Sequence, residues 1–389
     1  MIHSFGAKNY YSFKDGFNVS FELNSKVPAS ISRKKNTSYV LGIKGGNASG
    51  KTHILKAIQF LSLFCCHSFG NKPSEEIKVS SFFDNNLPSE FYIDFTSNGI
   101  RYIYELVTTR SSIIRETIYK KISRKTILLE RTNNKITKSG ADLPGLDLII
   151  LKSNASIIDT IPQYKLPDLA IDIENIRNCL SGMYGNVASI SVMDDQVFFT
   201  YKGVNDLYSQ IPKSFEFAKK IIINSDLGIS DIKLVSTVGE DGKPEFIPLF
   251  YHSRDSDTDS HNKPFTFFNQ SDGTKALYRR LYTYWAALES GGILVMDEFD
   301  THYHPALLPQ LLELFINPET NKNNSQFIFT SHNLEIIDLL GKYRTILVEK
   351  IKSESYCYRL DELPGDMIRN DRPISPLYRE GKLGGTPKL

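Results

Sequence analysis

Gly45-Gly46-Asn47-Ala48-Ser49-Gly50-Lys51-Thr52 decides how this chain is read: the apolar run Tyr39-Val40-Leu41-Gly42-Ile43 leads into it, and a helical stretch, His53 to Leu63, leaves it. The octet fits the pattern G-x-x-x-x-G-K-[ST] in the setting that gives the pattern meaning: buried strand, glycine-rich turn, helix. Each residue type has a task. Glycines let successive backbone N–H groups curl around a β-phosphate, and the helix N-terminus adds its positive end. Lys51 reaches β and γ oxygens, and Thr52 offers a hydroxyl to Mg²⁺. A glycine turn that happens to precede a helix is the plain alternative. On the first reading, residues 45–52 are a nucleotide cradle whose remaining parts lie elsewhere in the chain.

Outward from the loop, Ile2 to Phe5 and Phe17 to Leu23 read as strands; the apolar residues at 17, 19, 21 and 23 keep the period of two of a half-buried strand. On the other side, Ile54, Leu55, Ile58, Leu61 and Leu63 place one face of the helix against a sheet, with Cys65 and Cys66 ending it as small apolar fillers. From about residue 77 to 138 the texture turns to β. Phe91 to Phe95, the turn Ser97-Asn98-Gly99 and Ile100 to Val107 form a hairpin signal. Between 101 and 138, ten Lys or Arg stand against three Glu. This basic stretch either meets phosphates or an acidic partner, or is the solvated outer face of a small sheet. Residues 139 to 200 turn acidic, with Asp142, Asp147, Asp159, Asp168, Asp172 and Glu174 suited to caps and loops. Helices are predicted over Leu166 to Leu180 and Phe215 to Ile223, a strand over Ile232 to Val235, and a mobile loop over residues 253–263, rich in Ser, Asp and His.

With 389 residues, 41% of them hydrophobic and 23% charged, the chain has material for two or three globular domains. A formal charge of +2 argues neither for nor against nucleic acid, since a net value hides local patches. Cys65, Cys66, Cys179 and Cys357 show no C-x-x-C or finger spacing, and reduced thiols in a cytosol suit them best. The opening residues lack a cationic segment followed by a long apolar core, and no apolar run reaches the roughly 18 residues that cross a bilayer. A cytoplasmic protein without a membrane partner is expected.

Three later segments bear on the loop. Gly292-Ile293-Leu294-Val295-Met296-Asp297-Glu298 is a buried strand running into two carboxylates, which places charge at the ligand-binding edge of a parallel sheet. There Asp297 would hold the Mg²⁺ shell, partly through water, and Glu298 would orient and polarise an attacking water. An ordinary helix start is the alternative. Gln270-Ser271-Asp272-Gly273-Thr274 precedes a helix-like stretch, Lys275 to Leu288, and small residues at such an N-terminus suit a γ-phosphate presented from a second subunit. Phe327-Ile328-Phe329-Thr330-Ser331-His332 is a strand ending in a histidine, placed to touch that phosphate.

In this order the four segments resemble the ABC-type ATPases of the SMC/Rad50/RecF branch, and within it the OLD-like ATPases of abortive-infection and other phage-defence operons, of the RloA and AbiLi type. The likeness spans most of the chain. Phe5 to Asp15 resembles the family's start, Asn47-Ala48-Ser49-Gly50-Lys51 its Walker A loop, and Ser271-Asp272-Gly273-Thr274 its variant signature. Asp297-Glu298-Phe299-Asp300 with His304-Pro305 resembles its Walker B and D-loop, and Tyr378 to Pro387 its closing tail. The resemblance implies an α/β P-loop NTPase, an ABC ATPase head with an inserted β-rich and helical region: residues 1–76 and 241–389 as the two parts of the head, 77–240 as the insert. It implies ATP and Mg²⁺ as cofactors, Lys51, Glu298 and His332 as catalytic residues, and nucleotide contacts from residues 45–52, Ser271, Asp272, Gly273 and Asp300. Thr52 and Asp297 would serve the metal.

Further implications concern partners. Ser271 and Gly273 cannot face their own chain's loop in such folds, so a homodimer or larger homo-oligomer would sandwich two nucleotides. With 57 residues after His332, an appended nuclease domain has no room, and a separate toxic effector is expected. A DNA-binding repair ATPase of the RecF kind, with the basic stretch on the duplex, is the alternative, and a transporter's nucleotide-binding subunit a more distant one. Where many relatives carry an arginine near the start, this chain has Asn9-Tyr10-Tyr11-Ser12, so no basic nucleotide contact carries over. Gln163 and Gln196 are the weak candidates for the Q-loop glutamine.

Overall fold

All six residues of strand β3, Val40–Gly45, are buried, as an apolar run without alternation requires of a strand covered on both faces. In the computed structural model, which describes all residues except 141–144, 165, 188–199, 226–227, 240–241, 253–262, 365–366 and 387–389, β3 lies inside a six-stranded sheet. Asp142, Gln196, Pro387 and nearly all of the loop at 253–263 fall outside the described residues, as do the side chains of Asp147 and Asp168.

The sheet has the order β16-β15-β3-β14-β13-β9, with β9 Met183–Gly185, β13 Ile293–Met296, β14 Gln326–Thr330, β15 Thr345–Ile351 and β16 Glu354–Arg359. Every neighbour pair is parallel except the edge pair β15 and β16. Register then builds the site. Ile43 stands beside Thr330 and Met296 beside Phe329, so the ends of β3, β13 and β14 open on one edge, where a parallel sheet binds its ligands.

A second sheet is antiparallel throughout, ordered β2-β1-β4-β5-β6-β7-β8: β1 Ile2–Lys8, β2 Phe17–Ser20, β4 Ser89–Ser97, β5 Ile100–Thr108, β6 Ile113–Lys121, β7 Lys125–Thr132 and β8 Lys135–Ser139. The expected hairpin is present, with Asn98 and Gly99 at φ 47° and 76°, the positive pair that a tight turn of matching twist needs. A third, small sheet, β10 Ile229–Val238, β11 Pro244–His252 and β12 Phe265–Thr266, packs with helices Tyr201–Gln210, Pro212–Ser225 and Asp272–Ser290 around Tyr208, Ile222, Phe250 and Tyr278. Hydrogen bonding runs across both points of the expected division of the chain: β1 pairs with β4 across residue 76, and β10 with β11 across residue 240.

Helix Lys51–His67 departs from the one-faced helix that its spacing predicts. It is wedged between the two large sheets and touches β1 and β4 on one side and β3, β13 and β14 on the other. Ile54, Leu55, Ile58, Leu61 and Cys65 are wholly buried, and so nearly are Phe60, Phe64 and Cys66. Two faces of the helix are apolar and buried, at about 1.5–3 kcal/mol for each large apolar side chain removed from water, while Thr52, Lys56, Leu63 and His67 form a stripe that stays at least partly exposed.

The basic stretch is largely neutralised by its own neighbours. Arg101 pairs with Asp94 and Glu22, Arg110 with Asp84, Lys120 with Asp172, Lys125 with Glu105 and Lys138 with Glu130. Arg131 is fully buried, 3.6 Å from the equally buried Glu116, and its guanidinium donates to the carbonyls of Asn133, Lys152 and Ala155. Among the described residues no helix is long and apolar enough to cross a membrane.

Candidate functional site

Two glycines shape the turn after β3 for different reasons. Gly50, just before helix Lys51–His67, has φ +111°, a conformation L side chains avoid, whereas a Cβ on Gly45 would stand 2.3 Å from the Val348 carbonyl oxygen. Lys51 Nζ donates to the Gly45 and Gly46 carbonyls at 3.0 and 2.9 Å, which holds the ammonium over the turn. Burial lowers its pKa, while Asp297, Glu298 and Asp300 oppose that shift. Ser49 Oγ is buried in the same turn without a hydrogen-bond partner among the described residues.

Across the edge, Thr52 Oγ1 donates to Asp297 Oδ2 at 2.8 Å, and Thr330 Oγ1 donates to Asp297 Oδ1 at 2.5 Å. Thr330 Oγ1 also accepts the Glu298 N–H at 2.7 Å. Asn186, just beyond β9, clamps the backbone of Asp297 from the far side: its amide oxygen accepts the Asp297 N–H at 2.7 Å and its amide nitrogen donates to the Asp297 carbonyl at 2.9 Å. Glu298 sits at φ 48°, a left-handed turn that swings its carboxylate out to 59% exposure, 3.8 Å from His332 Nε2. Asn47, Ala48, Lys51, Thr52, Asp297, Glu298 and His332 together line a cleft of about 440 Å³. A hydroxyl beside a carboxylate is the all-oxygen donor set that Mg²⁺ prefers, and a glycine-rich turn at a helix N-terminus presents backbone N–H groups to a phosphate. The residues therefore fit ATP with Mg²⁺.

The other expected site residues take different places. Asp300 does not line the cleft; its carboxylate accepts the N–H groups of His332, at 3.1 and 3.0 Å, and of Asn333, at 2.8 Å. Lys44 donates to the His332 carbonyl, and burial brings its pKa down to about 8. Ser271 caps helix Asp272–Ser290 by accepting the Thr274 N–H at 3.1 Å, Asp272 is exposed beside Lys275, and a Cβ on Gly273 would stand 2.8 Å from the His302 carbonyl oxygen. None of these three lines the cleft of its own chain. Gln163, in the turn at 161–164, does not line it either.

Sequence reasoning missed Asn186 and Thr330. Thr330 carried a signal, a hydroxyl at the mouth of a buried strand; Asn186 carried none, because its partner is 111 positions away. Asn186→Ala leaves the Asp297 N–H without its partner, which should cost roughly 1–3 kcal/mol of stability. ATP hydrolysis should fall about 10-fold, with a raised Mg²⁺ requirement, as loss of an outer-shell partner does elsewhere. Urea melts and a magnesium titration of the hydrolysis rate check both effects.

Residues 9–12 support the turn from below. The Tyr11 ring stacks on His53 at 4.4 Å, Ser12 Oγ lies 2.8 Å from His53 Nδ1, and Ser355 Oγ reaches both Ser12 Oγ and the Ser49 carbonyl. Burial, then Lys56 and Lys350, push the His53 pKa from 6.5 down to about 4, with Asp297 opposing. The unfolded chain thus takes up this proton first, so the stability His53 contributes is whole above pH 6.5 and is lost as pH falls toward 4. In His53→Asn, the drop in unfolding free energy between those two pH values, read from urea melts, should be shallower by on the order of 2 kcal/mol.

Over residues 40–338 the sequence matches the model of a family described as "AAA domain, putative AbiEii toxin, Type IV TA system". No curated protein matches it. Among solved structures it is similar to the SMC head domain from Thermotoga maritima, at 16% identity and a TM-score of 0.43, covering 92% of this chain and 98% of that one. An SMC head bound to the C-winged helix domain of ScpA is similar at 15% identity and a TM-score of 0.46, covering 93% and 98%. So is an SMC head with an extended coiled coil bound to the C-terminal domain of ScpA, derived from Pyrococcus furiosus, at 13% and 0.44, covering 93% and 97%.

Proposed function

The chain belongs to the AAA-domain family whose model it matches, a mixed α/β P-loop ATPase with an inserted antiparallel sheet, and from that premise we propose that it hydrolyses ATP in sites shared between two copies of itself, as the sensor or scaffold that controls a separate toxic effector in phage defence. The observation that carries the reading is the Thr52 to Asp297 contact at 2.8 Å, which brings the hydroxyl and ammonium of the turn and a carboxylate 245 positions away into one cleft. The toxin–antitoxin wording of the family supports the biological half.

In the proposed reaction Lys51 leaves the Gly45 and Gly46 carbonyls for the β and γ oxygens of ATP. Thr52 and Asp297 would hold Mg²⁺, which would neutralise charge on the phosphates. Glu298 orients the attacking water and accepts its proton, and the γ-phosphate leaves from ADP as the new P–O bond forms. His332, 3.8 Å from Glu298, faces the same phosphate. Ser271, Asp272 and Gly273 lie off their own cleft, which suits presentation to a second chain's nucleotide, with Asp300 holding the loop of His332 in place. The DNA-repair alternative loses support because six of the ten cations of its basic stretch, at 101, 110, 120, 125, 131 and 138, already face carboxylates.

A shared site makes turnover depend on encounter. Specific activity should rise with protein concentration at low occupancy and level off once dimers form. Specific activity that stays constant over a hundredfold dilution into the monomeric range would rule out the two-chain site, and absence of hydrolysis at every concentration would remove the ATPase reading.

A further inference from the structure

A second cavity, of about 350 Å³, lies at the other end of β3, between the turn after the short helix Ala29–Ser32, the residues leading into β3 and the loop before β14. Val40 lines it, five residues before Gly45, so it sits roughly 16 Å from the phosphate turn along an extended strand. Its charge is the reverse of the nucleotide cleft's. Arg33, Lys35, Lys322 and Arg344 line it, and among the described residues no carboxylate does. One carboxylate stands outside its wall: Glu313 pairs with Arg33 at 3.3 Å, both side chains about half exposed.

Arg344 is the group without an answer. Its guanidinium donates to the Ile31 carbonyl at 2.6 Å, but Nε is buried with no hydrogen-bond partner among the described residues. Burial, then the like charge of Arg33, lower its pKa, with Glu313 opposing. Four cations lining one concave site raise the local positive potential, and a buried N–H left unpaired carries a desolvation cost. An anion in the cavity would neutralise the cluster and accept charge-assisted bonds from the guanidinium groups that line it.

We propose that this cavity is a second anion site, separate from the nucleotide cleft, which takes a small phosphorylated anion of the size of inorganic pyrophosphate. Several acceptor oxygens on a compact dianion suit guanidinium forks from two directions. The space equals about a dozen water volumes, which holds a small ligand and excludes a nucleic-acid duplex or a folded partner.

The test uses the full chain with Lys51→Ala, so that pyrophosphate cannot report from the first site, without Mg²⁺ and at fixed ionic strength. Pyrophosphate at about ten times its dissociation constant should raise the melting temperature by about 2 °C. Adding Arg33→Gln, an exposed position that leaves the core alone, should weaken pyrophosphate binding at least fivefold. Adding Arg344→Gln should abolish it, with the ligand-free melt of each variant as the control for folding. The proposal is overturned if pyrophosphate gives no shift in the Lys51→Ala chain, if sodium chloride of equal ionic strength gives the same shift, or if the shift survives both arginine substitutions.

Discussion

Lys51→Ala should hydrolyse ATP at least about 1000-fold more slowly than the native chain and melt within a few degrees of it. Among the described residues Lys51 is the one Lys or Arg that lines the cleft, where Asp297 and Glu298 face the same space. Without the ammonium, a polyanion would approach two carboxylates with nothing from the protein to offset them. Charge stabilisation of this kind is worth about 3–4 kcal/mol per well-placed donor, more where a binding contact is lost with it. The fold depends on Lys51 far less. Its Nζ touches two carbonyl oxygens at the rim of the turn, and burial already disfavours its charge. Steady-state hydrolysis, ATP binding and a thermal melt on the same preparation separate the two effects. Hydrolysis within tenfold of native would mean that the phosphate contact has been assigned to the wrong residue.

Glu298→Gln should be the opposite kind of loss, with ATP bound at least as tightly as before, turnover down by about 100-fold or more, and dimers accumulating in Mg-ATP. An amide of the same shape cannot accept the water's proton, a role worth typically 10²–10⁴ in rate. Removing the negative charge also lowers repulsion of the γ-phosphate, which favours the ATP-bound state. Position makes the substitution clean. The Glu298 carboxylate is 59% exposed and 3.8 Å from His332, while the bonds that build the edge, from Thr52 and Thr330, go to Asp297 and the bond from Glu298 to Thr330 uses only the backbone N–H. Gel filtration with and without Mg-ATP, beside a hydrolysis assay, reads both halves of the expectation. Glu298→Gln turning over ATP at the normal rate would displace this carboxylate from its role.

The two experiments bear on residues that were legible in one dimension. The turn at 45–52 and the strand running into Asp297-Glu298 are contiguous because their chemistry is local. Backbone N–H groups must follow one another to ring a phosphate, and a charge at the mouth of a parallel strand is written as an apolar run followed by Asp. The helix after the turn was legible as a helix but not as a sandwiched one. Its second apolar face, through Phe60, Phe64 and Cys66, acquires meaning only once β4 and helix Pro167–Ser181 are seen to lie over it, with Phe60 against Phe91 and Cys66 beside Arg177. Likewise the excess of cations between 101 and 138 was a true count and a poor guide to surface charge, because Asp94 on another strand, Asp172 on helix Pro167–Ser181 and Glu22 just past β2 reach those cations.

The sequence by itself therefore determined the P-loop, the strand that opposes it and the order of the motifs between which the insert falls, since each rests on the chemistry of neighbouring residues. Tertiary structure alone decided what lies beside what. Strand register sets Thr330 against Asp297, the return of β9 brings Asn186 onto the Asp297 backbone, and two remote arginines line one cavity at the far end of β3. These contacts join positions tens to hundreds of residues apart. They are settled by how buried sheets and one doubly covered helix pack, and no local pattern of residues encodes that.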